Sequence, residues 1–341
     1  MTEINTSGQH LTTEFDAYPL IPEEVANEIL TGVTEASAAL SMFSRLPNMS
    51  SRSYRMPILD ALGDANFLGT VVDDDLTVLG GGADVEGAEH TPENDVPPLK
   101  GTHQMKWDNV YITAAPIAII LPVPDDVLDD SDYDLWAAMQ PRIVEAFHQK
   151  IDNAIIWGQG RPEYWPSGIV PTTIARGFYV VEGTGDDIVE DISNFMGALE
   201  VQGYDPSGFM ASPSIKAVLR NLRSVDGVPL FTPGFGAAAD QVYGQQISYV
   251  KNASFQPSIA QLIAGKMDEA KYAIRSDLSF KLFTEGVITD DAGNIVLNLM
   301  QQDAKAMRVV MRLGWAVPNP IHALRSVRAE SYPFATLLEQ V

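Results

Sequence analysis

The sequence predicts an α+β chain. Three features do so: one long helical pattern near the middle, a series of short strand-like runs after it, and, before it, an acidic segment rich in glycine and proline set between two strand-like runs. The 341 residues are 45% hydrophobic, with mean hydropathy near zero, so the chain can bury a real core and is no disordered polymer. That length reads as two or three domains or one elaborate one.

The elements follow in order. Residues 1–20 are polar and irregular. From Pro22 to Phe43, Val25, Ile29, Val33, Ala36, Leu40 and Phe43 recur at spacings of three and four, the period of one helix face. Pro22 suits a first helical position, and Glu23 and Glu24 suit the positive end of the helix dipole. The run SYRMPIL predicts a strand. Residues 63–100 predict a long loop: Gly80 to Gly82, Pro92, Pro97 and Pro98 prevent any regular core element. A connection of that length inside a compact domain is functional or disordered as a rule. The run QMKWDNVYITAAPIAIILPV, rich in β-branched and aromatic residues, predicts a strand. The two runs and the loop between them suggest a long two-stranded arm.

The longest helical pattern is DSDYDLWAAMQPRIVEAFHQKIDNAIIWG. Ile143, Phe147, Ile151 and Ile155 line one face, and Leu135 and Trp136 extend the apolar surface. The acids from Asp129 to Asp134 sit where the dipole favours them. Pro141 predicts a second segment or a bend, and Gly158 falls where a helix C-terminal cap belongs. Beyond residue 185 the pattern is mixed. Helices are predicted at DDIVEDISNFMGALEVQG and at SPSIKAVLRNLRS, with Ser212 as cap and Pro213 in the first turn of the second. QQISYVKN, AQLIAGK and KYAIRSDLSFKLF predict strands. VITDDAGNIVLNLM predicts a hairpin turning over Asp290 to Asn294. DAKAMRVVMRLGWAV alternates Met307, Val309, Met311, Leu313 and Trp315 in the manner of a strand.

Composition excludes several functions. Forty-five acids against 22 bases give a formal charge of -23, a surface that repels nucleic-acid phosphate at long range. The absence of cysteine excludes disulfides, thiolate metal sites and Cys nucleophiles. No apolar run reaches membrane-spanning length, and the first residues lack the basic start and apolar core of a signal peptide. A chain made and used in the cytoplasm, or in something assembled there, is the expectation.

No motif carries catalysis. Gly158-x-Gly160 follows a helix, whereas a dinucleotide fingerprint lies after a strand and before a helix. The negative end of the helix dipole also disfavours phosphate there, so these glycines read as a helix stop and chain reversal. The acids at 73–75 and 125–134 lack the central glycine and closing glutamate of an EF-hand loop and read as solvated or helix-start charges. The five histidines are scattered, with no pair at zinc spacing. WPSGIV and DPSGFM place serine before glycine without forming Gly-x-Ser-x-Gly. No catalytic, cofactor or metal residues are assigned, and the chain is expected not to be an enzyme. A metal-dependent hydrolase using the aspartates is the contrasting reading, and it requires stoichiometric divalent metal.

Charge distribution says more. Ten acids lie from Asp60 to Asp95, Asp73, Asp74, Asp75, Glu86 and Glu89 among them, and no Lys or Arg interrupts them. From Ala304 to Ala329 there are five bases, Lys305, Arg308, Arg312, Arg325 and Arg328, and no acid. The two segments can meet between copies of the chain, pair within one chain, or each face solvent.

Together, the arm helix, the long loop, IDNAIIWGQG followed by PSGIV, SPSIKAVLRNLRSVDGVPLF, GQQISYVKN, KYAIRSDLSFKLF and QQDAKAMRVVMRLGWAVPNP closely resemble the major capsid proteins of tailed bacteriophages, the Hong Kong 97 fold. The resemblance spans residues 20–325 and rests on the order of elements, since no single motif is diagnostic. It implies an N-arm over 1–50, an extended E-loop with flanking strands over 51–110, and a peripheral domain over 111–186 with its spine helix at about 132–158. It further implies an axial domain over 187–295 and a return to the peripheral domain, with a C-terminal tail, over 296–341.

The function it implies is structural: pentamers and hexamers assembling, in the bacterial host cytoplasm, into an icosahedral virion capsid around double-stranded DNA. The DNA would be contacted non-specifically, and no cofactor or membrane is involved. A separate scaffolding protein, a portal and a decoration or cement protein are the implied partners. With about 20 residues ahead of the arm helix, a fused scaffolding domain is not expected. An encapsulin-like cellular compartment shares the fold and is the alternative. The acidic loop laid over a neighbour's Lys305, Arg308 and Arg312 is the implied contact. Some relatives weld subunits by a Lys–Asn isopeptide bond with a promoting carboxylate. Lys100, Asn298 and Asp303 are the residues here that correspond loosely, Lys100 standing at the loop's return and not at its tip.

Overall fold

The computed structural model describes residues 37–61, 105–125, 135–185, 187–222, 241–290, 292–322, 324 and 327–340. Most of the expected arm helix and the whole acidic loop of 63–100 lie outside these residues. The elements, in chain order, are α1 (Ala38–Met42), β1 (Ser44–Arg45), β2 (Ser53–Ala61), β3 (Lys106–Thr113), β4 (Ala115–Pro124), α2 (Leu135–Asp152), α3 (Ile169–Arg176), β5 (Tyr179–Val181), α4 (Ile188–Glu200), β6 (Gly208–Ala211), α5 (Ile215–Asn221), β7 (Gln241–Val242), β8 (Gln245–Tyr249), β9 (Ala260–Gly265), β10 (Lys271–Phe283), β11 (Val287–Thr289), β12 (Ile295–Asn298), β13 (Ala304–Ala316) and β14 (Phe334–Leu338). A π-helical turn, Asn153–Trp157, continues α2.

Two larger sheets organise the chain. One has the order β1-β10-β13-β4, with β13 antiparallel to both neighbours. The other has the order β5-β14-β9-β6-β8-β7 and mixes parallel and antiparallel pairs. Two two-stranded ribbons, β2-β3 and β11-β12, complete the set among the described residues. The single strand expected over 104–123 is two strands in different sheets: β3 belongs to a ribbon and β4 to the four-stranded sheet, the chain changing direction at Ala114. Sheet membership also cuts across the expected boundaries at 187 and 295. β10 and the β11-β12 hairpin go with the four-stranded sheet and its core, while β5 and β14 go with the six-stranded one. The expected C-terminal tail is in fact β14, an inner strand whose Phe334, Ala335 and Leu337 are wholly buried.

The core forms where α2 covers the four-stranded sheet. Ile143, Phe147, Ile151 and Ile155 are all buried, on the face that their spacing predicted. They pack in one cluster with Met307, Val309, Met311, Leu313 and Trp315 of β13. Burying side chains of this size stabilises by roughly 1.5–3 kcal/mol each. Pro141 sits inside one continuous helix and does not begin a second segment. A second cluster joins α4, through Ile192, Phe195 and Leu199, to the six-stranded sheet. The expected Ser212 cap lies two residues early: α5 starts at Ile215, and the Ser212 hydroxyl instead takes hydrogen bonds from the Ser214 hydroxyl and amide at 2.9 and 3.4 Å.

The end of α2 is tied by a buried carboxylate that sequence reasoning did not single out. Asp152 is fully buried. It accepts from the Ser37 hydroxyl (2.6 Å), the Asn252 amide (2.6 Å) and the backbone amides of Ala38 and Ala39 (3.3 Å each). Ser37 also caps α1 by accepting from the Leu40 amide. One side chain thereby holds together three segments more than 90 residues apart, and its donors answer the cost of burying it.

Past the π turn, Gly158 adopts a left-handed conformation, φ 70°, and its amide donates to the Asn153 carbonyl. The chain then doubles back so tightly that a Cβ on Gly158 would lie 2.1 Å from the Ser167 carbonyl oxygen. Arg161 braces the loop by donating to the carbonyls of Glu163 and Trp165. The indoles at its two ends reach outward: Trp157 donates to the Ser254 carbonyl and Trp165 to the Thr113 carbonyl. The glycines are a helix stop and chain reversal, as their order predicted.

Two predictions follow from these contacts. Gly158→Ala should lower the unfolding free energy by about 2 kcal/mol or more, since it combines left-handed strain with a backbone clash. Gly177→Ala, at φ 77° with no atom near the added methyl, should cost only about 1 kcal/mol; denaturant titration of both variants checks this. The second concerns pH. Burial raises the Asp152 carboxyl above its ordinary 3.8 against the pull of its hydrogen bonds. The folded chain then binds a proton there that the unfolded chain has lost, so its contribution to stability is greatest at low pH and declines as pH rises through the folded value. His148, one turn earlier, is lowered from 6.5 by burial, so its contribution is present above 6.5 and is lost as pH falls through the folded value. In thermal melts against pH, Asp152→Asn should flatten the first slope and His148→Gln the second.

Candidate inter-subunit surfaces

The first surface is the outer face of the four-stranded sheet. Alternation along β13 sends Met307 to Trp315 toward α2, so Arg308 and Arg312 stand on the opposite face. In register, Arg308 lies opposite Lys281 and Arg312 opposite Arg275 of β10. Two like-charged pairs thus face each other across one ladder, an arrangement that costs stability in isolation. The Phe283 ring is near two of these cations, 5.2 Å from the Arg308 guanidinium and 5.3 Å from the Lys281 ammonium. The Nε of Arg308 is buried without a hydrogen bond. On the other side of β13, β4 contributes Ala118 and Ile120 to the same face, both exposed.

Structure places the sequence-derived bases differently from one another. Lys305 lies 3.3 Å from Asp125, a pairing of charges without aligned hydrogen-bond geometry. Arg328 pairs with Asp108 of β3 at 3.2 Å. Both partners belong to the same chain and neither lies in the acidic 60–95 segment; of that segment's acids, Asp60 pairs with Lys106 across β2-β3 at 2.9 Å. Asp73, Asp74, Asp75, Glu86, Glu89 and Lys100 lie outside the described residues, as does Arg325. Asn298 closes β12, its carbonyl accepting from the Gln301 and Gln302 amides. Asp303 precedes β13 in a left-handed turn, φ 42°, and its carbonyl accepts from the Asp125 amide.

The second surface is the β2-β3 ribbon, and sequence reasoning missed its chemistry. On β3, Trp107, Asn109 and Tyr111 share one face, opposite Leu59, Pro57 and Arg55 of β2. Trp107 is 62% and Tyr111 59% exposed. The other face is the one that packs: Ile112 is buried and Val110 partly so, against Met49, Ala273 and Ala316. The alternation in KWDNVYIT held that signal, because only one of its two faces has a core to meet. The β11-β12 hairpin repeats the division: Ile288 and Leu297 pack inward, while Val287, Ile295 and Val296 are exposed. Between β4, α2 and the 158–168 loop lies an open, largely apolar groove of about 360 Å³, lined by Ile117, Phe147 and Trp165 with Lys150 among them.

Among the described residues, no three His, Asp or Glu side chains converge as a metal site, and no helix is long and apolar enough to cross a membrane. The architecture is that of known shells. A solved structure from Microbacterium phage Oxtober96 superposes with a TM-score of 0.72 at 28% identity, over 89% of this chain and 91% of that one. One titled "Capsid of native GTA particle computed with C5 symmetry" shares the fold, with a TM-score of 0.56 at 17% identity, over 89% and 91% of the two chains. The major capsid protein of Staphylococcus phage 80alpha is 24% identical over 215 residues, 62% of this chain and 63% of that relative's length. These similarities do not favour the cellular-compartment alternative. The sequence pattern of the phage capsid family matches residues 18–325, and the chain belongs to that family.

Proposed function

We propose that this structural protein of the phage capsid family builds a closed icosahedral shell from pentamers and hexamers of itself around double-stranded DNA. Assembly takes place in the bacterial cytoplasm, with a separate scaffolding protein, a portal and a decoration or cement protein as partners. The four-stranded sheet with α2 serves as the peripheral domain, the six-stranded sheet with α4 and α5 as the axial domain, and β2-β3 as the base of the E-loop. The observation that carries this reading is the ribbon. A two-stranded ribbon is marginal alone, yet this one presents an indole and a phenol to solvent on the face that meets no core. Large aromatics are the residues by which one protein surface anchors on another.

The acidic 60–95 segment meets the outer sheet face of a neighbouring copy. Arg308 and Arg312 on that face, beside Lys281 and Arg275, form the cationic side of the contact, complementary in sign to a negative segment laid over them. Lys305 has Asp125 within its own chain and contributes less. The Lys100–Asn298 crosslink with Asp303 as its promoting carboxylate is a further proposal; a single band near 37.1 kDa on a denaturing gel of mature particles would exclude it. The net charge of -23 suits a wall that must enclose dense DNA without binding it.

Three assembly experiments test this reading. Negative-stain microscopy of the chain expressed alone and with its neighbouring genes should show closed angular shells in one of the two samples. Trp107→Ser with Tyr111→Ser should leave subunit stability within about 0.5 kcal/mol of the parent, as exposed positions do, while shell yield collapses; unchanged yield would remove the ribbon from the interface. Arg308→Glu with Arg312→Glu should block assembly or lower shell stability, and shells of normal yield and melting temperature would sink the electrostatic contact.

A further inference from the structure

Residues 317–333 run between the ribbon and the six-stranded sheet, and their two attachments differ in kind. On one side the segment is folded on itself and bonded to residues just past α4 and at the end of α3. Asn319, 3% exposed and held left-handed at φ 49°, accepts from the Tyr204 hydroxyl at 2.7 Å. Its amide donates to the carbonyls of Ser331 (2.7 Å) and Arg328 (3.0 Å). The Tyr332 amide donates to the Gln202 side chain at 3.0 Å. Arg176 donates to the Ser331 carbonyl and lies over the Tyr332 ring. On the ribbon side, where Ile58 and Ile321 are buried, the polar contacts among the described residues are two. The Ile321 amide reaches the Leu59 carbonyl at 3.5 Å, the limit of a hydrogen bond. Arg328 meets Asp108 at 3.2 Å with side chains 29% and 52% exposed, a pair of the kind that contributes little and yields readily.

The ribbon's root is fixed elsewhere. Ile112 is wholly buried, and the backbone at Thr113 approaches β13 so closely that a Cβ on Gly314 would lie 2.7 Å from the Thr113 carbonyl oxygen. Asp108 stands four residues out from Ile112, roughly 13 Å along the strand. A ribbon pinned at its root and held again by weak contacts farther out has its angle set by the outer contacts.

We infer that Arg328–Asp108 and Ile321–Leu59 form a releasable clasp that fixes the angle at which the ribbon leaves the subunit and opens when that angle must change. The segment stays anchored past α4 through Asn319 to Tyr204 and through the Tyr332 amide to Gln202, so opening moves the ribbon and not the segment. This rests on the shell reading, in which identical chains occupy non-identical positions and reach neighbours at more than one angle.

The chain has no cysteine, so Asp108→Cys with Arg328→Cys can be bridged by a short bis-maleimide at this site alone. The bridged subunits should fail to close into shells, while the same variant left unbridged should assemble. Bridged subunits that give shells of parental diameter would overturn the clasp. Arg328→Gln should broaden the distribution of particle diameters in micrographs, and the exchanged pair Asp108→Arg with Arg328→Asp should narrow it again; parental diameters for Arg328→Gln would also overturn it. If the parent chain forms no shell under any condition, the shell reading fails and not the clasp alone.

Discussion

The fold turns on one buried carboxylate. Asp152 ends the long helix in a place without water, and a charge or even a neutral carboxyl there must find partners inside the protein. It finds them in Ser37 with the first amides of α1, and in Asn252 ahead of β9. These segments are distant in sequence, so satisfying one side chain fixes where α1 enters, where α2 stops and how the loop before β9 sits. The π turn and Gly158 come directly after this point, and each depends on α2 ending where it does. Trp157 then ties the same junction to Ser254, two residues past Asn252, so that the polar bonds and the indole close on one spot.

From that junction the architecture spreads through β13. Met307 to Trp315 at its odd positions pack on α2, Arg308 and Arg312 stand on the other face, and it carries β10 on one side and β4 on the other. β4 is the last strand of its sheet among the described residues, and Pro116, Pro122 and Pro124 all fall on its even positions. A proline has no N–H to give the β13 ladder, so these positions turn toward the open edge and leave it short of donors. Uncontrolled strand addition is blunted there, which matters for a protein that must meet copies of itself only in chosen ways.

What the sequence made legible follows the range of the forces involved. Periodic burial is local, so the face of α2, the β11-β12 turn over Asp290 to Asn294, and strands β8, β9, β10 and β13 could be read from spacing. The order of those elements carried the family. β14 could not be read, because its segment FATLL is a short apolar run whose strand character comes from β9 and β5 on either side. The split of 104–123 into two strands was hidden because both halves favour β structure, and only tertiary pairing decides which sheet each joins. Lys305 and Arg328 lie in a run without acids, and spacing could not say that Asp125 and Asp108 reach them from about 180 and 220 positions away. Asp152 was not singled out, since nothing local announces that Ser37 and Asn252 will enclose it.

Exposure in the folded chain is not spread evenly, and its distribution separates stability from assembly. The four- and six-stranded sheets have helices to bury one face each, and nearly all their large apolar side chains are inside. A two-stranded ribbon has too little width to do the same. β2-β3 buries Ile112 at its root and leaves Trp107 and Tyr111 outside; β11-β12 buries Ile288 and Leu297 and leaves Val287, Ile295 and Val296 outside. For a solitary protein such ribbons would be a liability, because each exposes apolar area that pays nothing toward folding. For one that repeats around a closed surface they are the means of contact, since area left open in the subunit is what association can still bury. The sheets hold the subunit together without help from a neighbour, and the ribbons are the parts whose burial waits for one.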